Sequence, residues 1–341
     1  QRQGGALRRV AMAKREQEAK GPAPKGFRVN GAVVVNKPRG ITSHDVVMRV
    51  RRLLKVRAVG HLGTLDPIAT GVLPLLVGNA TRLQRFYGAR RKEYRGRIRF
   101  GFATDTYDAE GHPLGEDTKP TLTREEVEPH LRGLRGKMEQ TPPPYSAKKV
   151  EGVAAYERAR RREKFTLKPV PVEVFRFELL GVEGAHADFL IECAAGTYVR
   201  SLVHDLGQKV GPGAHLVEIR RTASGEFRLE QAVTLEEIEN AAGEERLPQV
   251  IIPLAELLPD LPQAEVGPAH ERRIRHGGKI ELTESQIRPG EVQTPLDSDV
   301  WKPFRLRVFN QQRQLVAIAQ AIVPRVFQPV VVLPAPAQAA G

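Results

Sequence analysis

One loop of this 341-residue sequence organises the prediction of its fold: Gly60-His61-Leu62-Gly63-Thr64-Leu65-Asp66-Pro67-Ile68-Ala69-Thr70-Gly71. Its glycines and its proline predict an unusual backbone path, because glycine tolerates positive φ and proline restricts φ. The loop presents one acid, Asp66, and one imidazole, His61. Considered alone, an aspartate before a proline is more often a turn or capping residue than a catalyst, and His61 is more often a polar loop residue. Both interpretations stay open at this point.

Regular structure is predicted on both sides of the loop. Before it, residues 33–35 form a short apolar run, and a turn leads into a helix capped by Thr42 or Ser43. The apolar residues of this helix recur at helical spacing: Val46, Val47, Val50, Leu53 and Leu54. After the loop, residues 72–77 have the pattern of a buried strand.

Near residue 94 the apolar pattern changes to period two, which is typical of a half-buried strand. One predicted face carries Tyr94, Gly96, Ile98 and Phe100, and the other carries Arg95, Arg97 and Arg99. We call these three arginines the arginine ladder. The ladder is either a surface for a polyanion or a solvated face.

Further elements follow along the chain. Capping boxes predict helices that begin at Thr123 and Thr234, and Thr197 is predicted to cap a helix that ends at Gly211. Strands are predicted at 187–193, 214–222, 279–282, 304–309 and 315–321.

Composition narrows the class of protein. The chain has 53 Lys and Arg against 40 Asp and Glu, a net charge of +13. Such a charge favours polyanionic partners, nucleic acid first and anionic membrane second, although a solvated basic surface is the alternative. The single cysteine, Cys193, excludes an intramolecular disulfide framework and a multi-cysteine zinc site. The hydrophobic fraction of 40% excludes wholesale disorder.

Several common machineries have no support in the sequence. No apolar run approaches the roughly 18 residues of a membrane span. Arg8 and Arg9 are not followed by the apolar stretch of a secretory signal, so a cytoplasmic protein is expected, and Met12 is a candidate natural start. The chain has no phosphate-binding or dinucleotide glycine motif, no Gly-x-Ser-x-Gly elbow and no His-x-x-x-His pair. Neither a cofactor nor a metal is expected.

Motifs in a fixed order carry a resemblance to a known family. They are Asn36-Lys37-Pro38-x-Gly-Ile-Thr-Ser, the loop 60–71 with Val72-Leu73, Val77-Gly78-Asn79-Ala80-Thr81-Arg82, Lys92-Glu93-Tyr94, Gly101-Phe102-Ala103-Thr104-Asp105-Thr106-x-Asp108-x-x-Gly111, Thr141-Pro142-Pro143-Pro144-Tyr145-Ser146-Ala147-x-Lys149, Gly196-Thr197-Tyr198-Val199-Arg200, and Gly213-Ala214-His215-Leu216 through Arg220-Arg221. The sequence over about residues 31–240 closely resembles the bacterial tRNA pseudouridine-55 synthases of the TruB family. Leu62 departs from the family pattern, which often has threonine there.

The resemblance implies an α+β fold with a mixed, largely antiparallel sheet flanked by helices, followed by a small β-rich, PUA-like domain. Together with composition it divides the chain into the following parts: a basic disordered tail at 1–28, a catalytic domain at 29–245, a thumb-like RNA-binding insertion at about 141–170, a PUA-like domain at 246–333 and a frayed end at 334–341. We call residues 141–170 the basic insertion.

The resemblance also implies catalytic roles. Asp66 matches the nucleophile, which would attack the ribose at C1′ or the uracil at C6, or assist elimination to a glycal. A nucleophile must be ionised, and Arg200 matches the family's cationic partner, which would offset the effect of burial on a carboxyl group. Tyr94 matches the tyrosine that packs on the target base, and stacking suits it better than proton transfer, because a free tyrosine has a pKa near 10. For Tyr94 and Arg200 the alternatives are a core residue and a surface salt bridge.

Binding roles are implied for further residues. Tyr198 and Ile219 match positions that line the uracil pocket, and His61 matches the histidine that fills the gap left by the flipped uridine. Lys37 and Pro38 match a motif that supports the catalytic loop. The residues of the basic insertion expected to contact the RNA backbone are Lys148, Lys149, Arg158, Arg160, Arg161 and Arg162.

The resemblance predicts a cofactor-free enzyme that forms pseudouridine in tRNA and acts as a monomer without a protein partner or membrane. Two alternatives remain. One is a non-catalytic tRNA-binding or folding chaperone on the same scaffold, and the other is a pseudouridine synthase for another RNA, within a guide-RNA particle.

Overall fold

The computed structural model describes residues 29–335, apart from residues 147, 151, 162, 164 and 291–303. The predicted tail at 1–28 and residues 336–341 of the predicted frayed end lie outside the described residues. The α-helices are α1 (Ser43–Leu54), α2 (Arg124–Leu131), α3 (Ala155–Arg160), α4 (Val199–Val210), α5 (Leu235–Gly243) and α6 (Pro268–Arg275).

The strands fall into a first and a second part of the chain. The first part contains β1 (Gly31–Lys37), β2 (Val59–His61), β3 (Ala69–Val77), β4 (Lys92–Phe100), β5 (Gly136–Gln140), β6 (Lys149–Val150), β7 (Val153–Ala154), β8 (Val170–Glu183), β9 (His186–Cys193), β10 (Ala214–Ser224), β11 (Phe227–Arg228) and β12 (Ile252–Pro253). The second part contains β13 (Gln263–Val266), β14 (Ile280–Glu281), β15 (Ile287–Arg288), β16 (Arg305–Asn310), β17 (Leu315–Val323) and β18 (Val326–Val332).

A ten-stranded mixed sheet forms the centre of the molecule. Its main path runs β12-β1-β3-β10-β4-β9-β8-β5, with β2 on β3 and β11 on β10. The β3–β10 pair is parallel, and the neighbouring β1–β3 and β4–β10 pairs are antiparallel. The fold is therefore α+β with a large, mostly antiparallel mixed sheet, as predicted.

Side-chain alternation explains why β1 is apolar from residue 31 to residue 35. Val33 and Val35 belong to the core between the sheet and helices such as α1 and α4, whereas Ala32 and Val34 belong to a second core on the opposite face. Because successive side chains point to opposite faces, a strand covered on both sides must be apolar at every position. Leu315 of β17 lies in the second core, so the C-terminal part packs against this face.

The C-terminal part is a six-stranded sheet, β14-β18-β17-β16-β13-β15, with its own core and helix α6. This sheet begins at Gln263, whereas β12 still pairs with β1 in the large sheet. The predicted division near residue 245 stays a prediction, and these strand pairings favour a later point.

Helix ends were partly predictable. Thr42, not Ser43, is the N-cap of α1, and it forms a capping box with Asp45. The capping boxes at Thr123 and Thr234 are confirmed, as is the end of α4 at Gly211. The expected cap at Thr197 is wrong, because Tyr198 is the N-cap residue of α4 and caps it with no side-chain hydrogen bond. The backbone N–H of Tyr198 instead donates to Gln140 Oε1 at 2.8 Å.

The described helices are all too short or too polar to cross a membrane.

Candidate active site

The loop that carries Asp66 connects β2 to β3, and we call residues 62–68 the Asp66 loop. Ser43, at the start of α1, holds its centre: Ser43 Oγ accepts a hydrogen bond from the Leu65 N–H at 2.8 Å and donates to the Leu65 carbonyl at 2.9 Å. The buried Lys37 holds its end, because Lys37 Nζ donates to the carbonyls of Pro67 at 3.3 Å and Ala69 at 2.7 Å. These contacts fix the backbone on either side of Asp66.

Arg221 of β10 anchors the start of the same loop. Its side chain is fully buried, and the guanidinium donates to the carbonyls of Gly63 at 3.0 Å and Val72 at 2.7 Å. Sequence reasoning assigned Arg221 no role. The signal was present, since Arg221 lies two residues after Ile219 on a strand, and period two puts both on one face.

Arg200, in the first turn of α4, joins Asp66 to a second acid. Arg200 Nη2 lies 2.8 Å from Asp66 Oδ2, and Arg200 Nη1 lies 3.2 Å from Asp108 Oδ2. The side chains of Arg200 and Asp108 are 7% and 6% exposed, whereas that of Asp66 is 44% exposed. The arginine is thus buried behind a carboxylate that faces solvent.

Backbone carbonyls complete the surroundings of Arg200. Its guanidinium also donates to the carbonyls of Thr106 and Tyr145, each at 2.9 Å. Asp108 is itself fixed, since Asp108 Oδ1 accepts from the Thr106 hydroxyl at 2.7 Å and from the Glu110 N–H at 3.1 Å. Asp108 stands in one of the family-like motifs, but nothing in its local pattern predicts that its partner is Arg200.

Tyr94 and Ile219 lie in the core on the same face of the sheet, and both side chains are buried. Tyr94 of β4 pairs with Arg221 across the β4–β10 ladder. Burial raises the pKa of Tyr94 above its usual value, and the nearby Arg221 lowers it only in part. Tyr198 is half-buried at the start of α4, where the Gln140 amide bonds both its N–H and its carbonyl.

His61 lies at the end of β2, directly before the Asp66 loop, and is half-buried. Burial, followed by the positive charges of Arg221 and Lys92, lowers the pKa of His61. The imidazole is therefore neutral at pH 7. Pro38 is exposed, next to Lys37 and before the turn into α1.

The basic insertion contains only short elements, namely β6, β7 and α3. Lys148 is exposed, and Arg161 lies 3.7 Å from Glu163 with 67% of its side chain exposed. Arg158 lies 3.6 Å from the same acid and is only 18% exposed, so it is less available to a ligand. Arg162 lies outside the described residues, and only the backbone is described for Lys149 and Arg160.

The arginine ladder of β4 has the predicted alternation, with Tyr94, Ile98 and Phe100 buried on one face. Two of its arginines are paired: Arg97 with Asp188 at 2.7 Å, and Arg99 with Asp117 at 2.5 Å. In the part of the chain that the structure describes, no cluster of three or more His, Cys, Asp or Glu side chains could hold a metal ion.

Comparisons with known proteins show the family to which the chain belongs. A model described as "TruB family pseudouridylate synthase (N terminal domain)" matches residues 51–199, and one described as "tRNA pseudouridylate synthase B C-terminal domain" matches residues 200–259. The "tRNA pseudouridine synthase B" of Solibacter usitatus is 46% identical over 89% of this chain and 100% of its own length. The protein of the same name from Aquifex aeolicus is 41% identical over 74% of this chain and 87% of its own length.

Solved structures share the fold. A chain in the "Structure of H/ACA RNP bound to a substrate RNA containing 2'-deoxyuridine" has a TM-score of 0.66 at 23% identity, covering 93% of this chain and 90% of that one. A chain in the "Crystal Structure of a Cbf5-Nop10-Gar1 Complex" has a TM-score of 0.66 at 24% identity, covering 92% and 88%. At this identity the likeness concerns the fold alone.

Proposed function

Because this chain belongs to the TruB family of pseudouridylate synthases, we propose that it converts uridine to pseudouridine in tRNA, at position 55 of the T-loop. The observation that carries the proposal is the half-exposed Asp66 carboxylate, 2.8 Å from the buried guanidinium of Arg200. An acid that faces solvent while its cation is buried behind it is accessible to a substrate and held in one orientation.

Asp66 acts as the nucleophile in this proposal. The N1–C1′ bond of the uridine breaks, the uracil turns, and a C5–C1′ bond forms. The C5 proton is lost to solvent and N1 gains a proton, so the product is an isomer of the uridine. Attack at C1′, attack at C6 and elimination to a glycal all use the same carboxylate. The guanidinium of Arg200 stabilises the ionised carboxylate, the form that reacts, and its contacts with Thr106 and Tyr145 keep it in place.

Tyr94, Ile219 and Tyr198 form the uracil pocket in this proposal. The raised pKa of Tyr94 favours stacking on the base over removal of the C5 proton, since the phenol stays protonated at neutral pH. A flipped uridine leaves a gap in the RNA stack, and flipping costs a few kcal/mol. The neutral imidazole of His61 fills that gap without adding a charge between bases.

The backbone of the tRNA is held by the basic insertion, with Lys148 and Arg161 as its exposed cations. Lys37 and Pro38 support the Asp66 loop and do not contact the base. We also propose that the protein acts in the cytoplasm as a monomer, without a cofactor or a protein partner.

Tritium release tests the function directly. A T-arm hairpin labelled at C5 of its uridines should lose tritium when the enzyme exchanges the C5 proton at position 55. A matched hairpin with cytidine at that position should lose none. Tight binding without release from the hairpin or from whole tRNA would contradict the proposal and favour the chaperone or another RNA substrate.

A further inference from the structure

A cavity of about 490 Å³ is lined by residues of β4 and β10, among them Arg95 of the arginine ladder. Its charged lining residues are Arg39, Arg95, Asp188, Glu218 and Arg220. Arg95 is the remaining member of the arginine ladder. The lining includes neither Asp66 nor a residue of the basic insertion, but it does include Ile219 of the proposed uracil pocket.

Arg95 and Arg220 face each other directly across the β4–β10 pair. Like charges at directly opposite positions of an antiparallel pair destabilise it. Both side chains are exposed, and among the described residues neither lies within ion-pair distance of a carboxylate. The rest of the ladder differs, since Arg97 and Arg99 each have an acidic partner.

Among the described residues, the acids in the cavity form no ion pair with Arg95 or Arg220. Asp188 is engaged by Arg97 through two hydrogen bonds, of 2.7 and 3.0 Å. Glu218 is exposed, and its charge acts on Arg97. Arg39, a third exposed cation without a carboxylate partner among the described residues, lies on the cavity rim. Three guanidinium groups therefore line the cavity without a carboxylate at ion-pair distance among the described residues.

The cavity is continuous with the end of the Asp66 loop. Ile68 and Thr70, which line it, follow Asp66 closely in sequence. On the other side, the Gly40 N–H, next to Arg39, donates to the Pro67 carbonyl at 2.9 Å. An RNA strand that delivers a uridine to Asp66 has phosphodiester groups on both sides of that nucleotide, close to this loop.

We propose that Arg95 and Arg220, together with Arg39, bind a phosphate group of the substrate RNA backbone. Guanidinium groups bind phosphate oxygens in a bidentate manner, and one bound phosphate would relieve the repulsion between the two opposed arginines. The proposal rests on the proposed function for the identity of the RNA. Free phosphate has the same chemistry and is separated from RNA by the experiment.

The test is the salt dependence of hairpin binding, measured by fluorescence anisotropy between 50 and 400 mM KCl. The variant is Arg95→Gln/Arg220→Gln. Each lost phosphate contact should lower the slope of log affinity against log salt by about 0.7–0.9. Hairpin affinity at 50 mM salt should fall about tenfold, whereas the single-turnover rate at saturating RNA should stay within about twofold of wild type.

The matched control is Arg52→Gln/Arg132→Gln, which removes two exposed arginines from other surfaces. An unchanged slope in the Arg95/Arg220 variant, or an equal drop in the control, would overturn the proposal. Inorganic phosphate at constant ionic strength provides the second arm. If it raises the Tm of wild type but not of the variant, while the hairpin slope is the same for both, the site binds free phosphate and the RNA proposal fails.

The salt slopes and the Tm values measure binding, so they can be interpreted whether or not the protein converts the uridine. A wild-type protein that binds the hairpin but releases no tritium would contradict the proposed function, and the slopes would still decide the role of Arg95 and Arg220.

Discussion

The Asp66 loop and the basic insertion meet at Arg200 but are held in opposite ways. One guanidinium nitrogen of Arg200 contacts both Asp66, at 2.8 Å, and the carbonyl of Tyr145 in the insertion, at 2.9 Å. The loop is fixed by buried side chains from other elements, whereas the strands β6 and β7 within the described part of the insertion have two residues each and its helix α3 has six. Bond breaking and bond formation need reacting groups that are fixed in one geometry, whereas RNA binding needs exposed charges that can adjust to the ligand.

The largest effect is expected for Asp66, which tests whether the Asp66 loop acts in the reaction or in RNA binding. Asp66→Asn removes the nucleophile and keeps the shape of the side chain. We expect the single-turnover rate to fall at least about a thousandfold, with hairpin affinity within several-fold of wild type. Tritium release and anisotropy on the same preparation measure the two quantities. A variant that keeps a tenth of the wild-type rate would remove Asp66 from the nucleophile role.

A smaller effect on the single-turnover rate is expected for Asp108, which contacts Arg200 behind the Asp66 carboxylate. Asp108→Asn keeps a hydrogen-bond acceptor near Arg200. It removes the negative charge that lies 3.2 Å from the guanidinium, measured from Asp108 Oδ2 to Arg200 Nη1. A displaced Arg200 would misplace Asp66, and a misplacement of about 1 Å can reduce a rate about a hundredfold. We expect a 10- to 100-fold lower single-turnover rate with unchanged hairpin affinity.

Asp105→Asn serves as the matched control for this change, since Asp105 lies in the same motif and contacts His112 rather than Arg200. Equal losses of rate in both variants would mean that Asp108 acts only by stabilising the fold of its loop. Thermal unfolding of both proteins separates a loss of stability from a loss of positioning.

Local structure near the site could largely be predicted from the sequence. The α1 capping box, the alternation of β4 and the strand β3 follow from patterns within a few residues. The pairing of Arg200 with Asp108 could not, because it depends on how α4 packs against a loop far away in sequence. The sequence predicts the wrong cap at Thr197, because the side chain of Gln140 on β5 forms hydrogen bonds with the backbone N–H and the carbonyl of Tyr198 at the start of the helix.

The resemblance to a family supplied what local patterns could not. Asp66 before a proline has the pattern of an ordinary turn residue, and only the ordered motifs connected it with Arg200. The same motifs gave no role to Arg95 or Arg220, whose opposition depends on the register between β4 and β10. The register between strands that are distant in sequence depends on the tertiary structure. The sequence alone therefore does not predict that Arg95 and Arg220 lie opposite each other.

Charge reversal in the basic insertion tests whether its exposed cations bind the RNA. Lys148→Glu/Arg161→Glu changes two exposed cations and leaves Arg200 in place. Hairpin affinity should fall about tenfold at low salt, and the salt slope should decrease, because fewer counterions are released on binding. The single-turnover rate at saturating RNA should change by less than about threefold.

Arg52→Glu/Arg132→Glu is the control for overall charge. If both charge-reversed proteins lose the same affinity, the insertion acts through the long-range field of the protein rather than by contact. If the insertion variant instead loses rate and keeps its affinity, the division of labour between loop and insertion is wrong.

The smallest expected effect concerns the free energy of unfolding, which the burial of Lys92 beside the Asp66 loop lowers. Gly63, at φ +110°, brings the loop so close to Lys92 that a methyl group on Gly63 would lie 2.7 Å from Lys92 Nζ. Burial, followed by the charge of Arg221, lowers the pKa of Lys92 from 10.5 to about 8. The folded state therefore carries a buried ammonium group below pH 8, which destabilises it relative to the unfolded chain.

Lys92→Met removes this penalty and should raise the stability at pH 7 by about 1–2 kcal/mol, or about 2–4 °C in Tm. The gain should diminish from pH 8 upwards and vanish only above pH 10.5, where the lysine becomes neutral in the unfolded state as well. Differential scanning calorimetry at pH 7 and pH 10 measures it, with Lys55→Met as an exposed control. A lower Tm at pH 7 would mean that Lys92 stabilises the Asp66 loop by contacts that outweigh its burial, so the rigidity of the loop would carry no cost in stability.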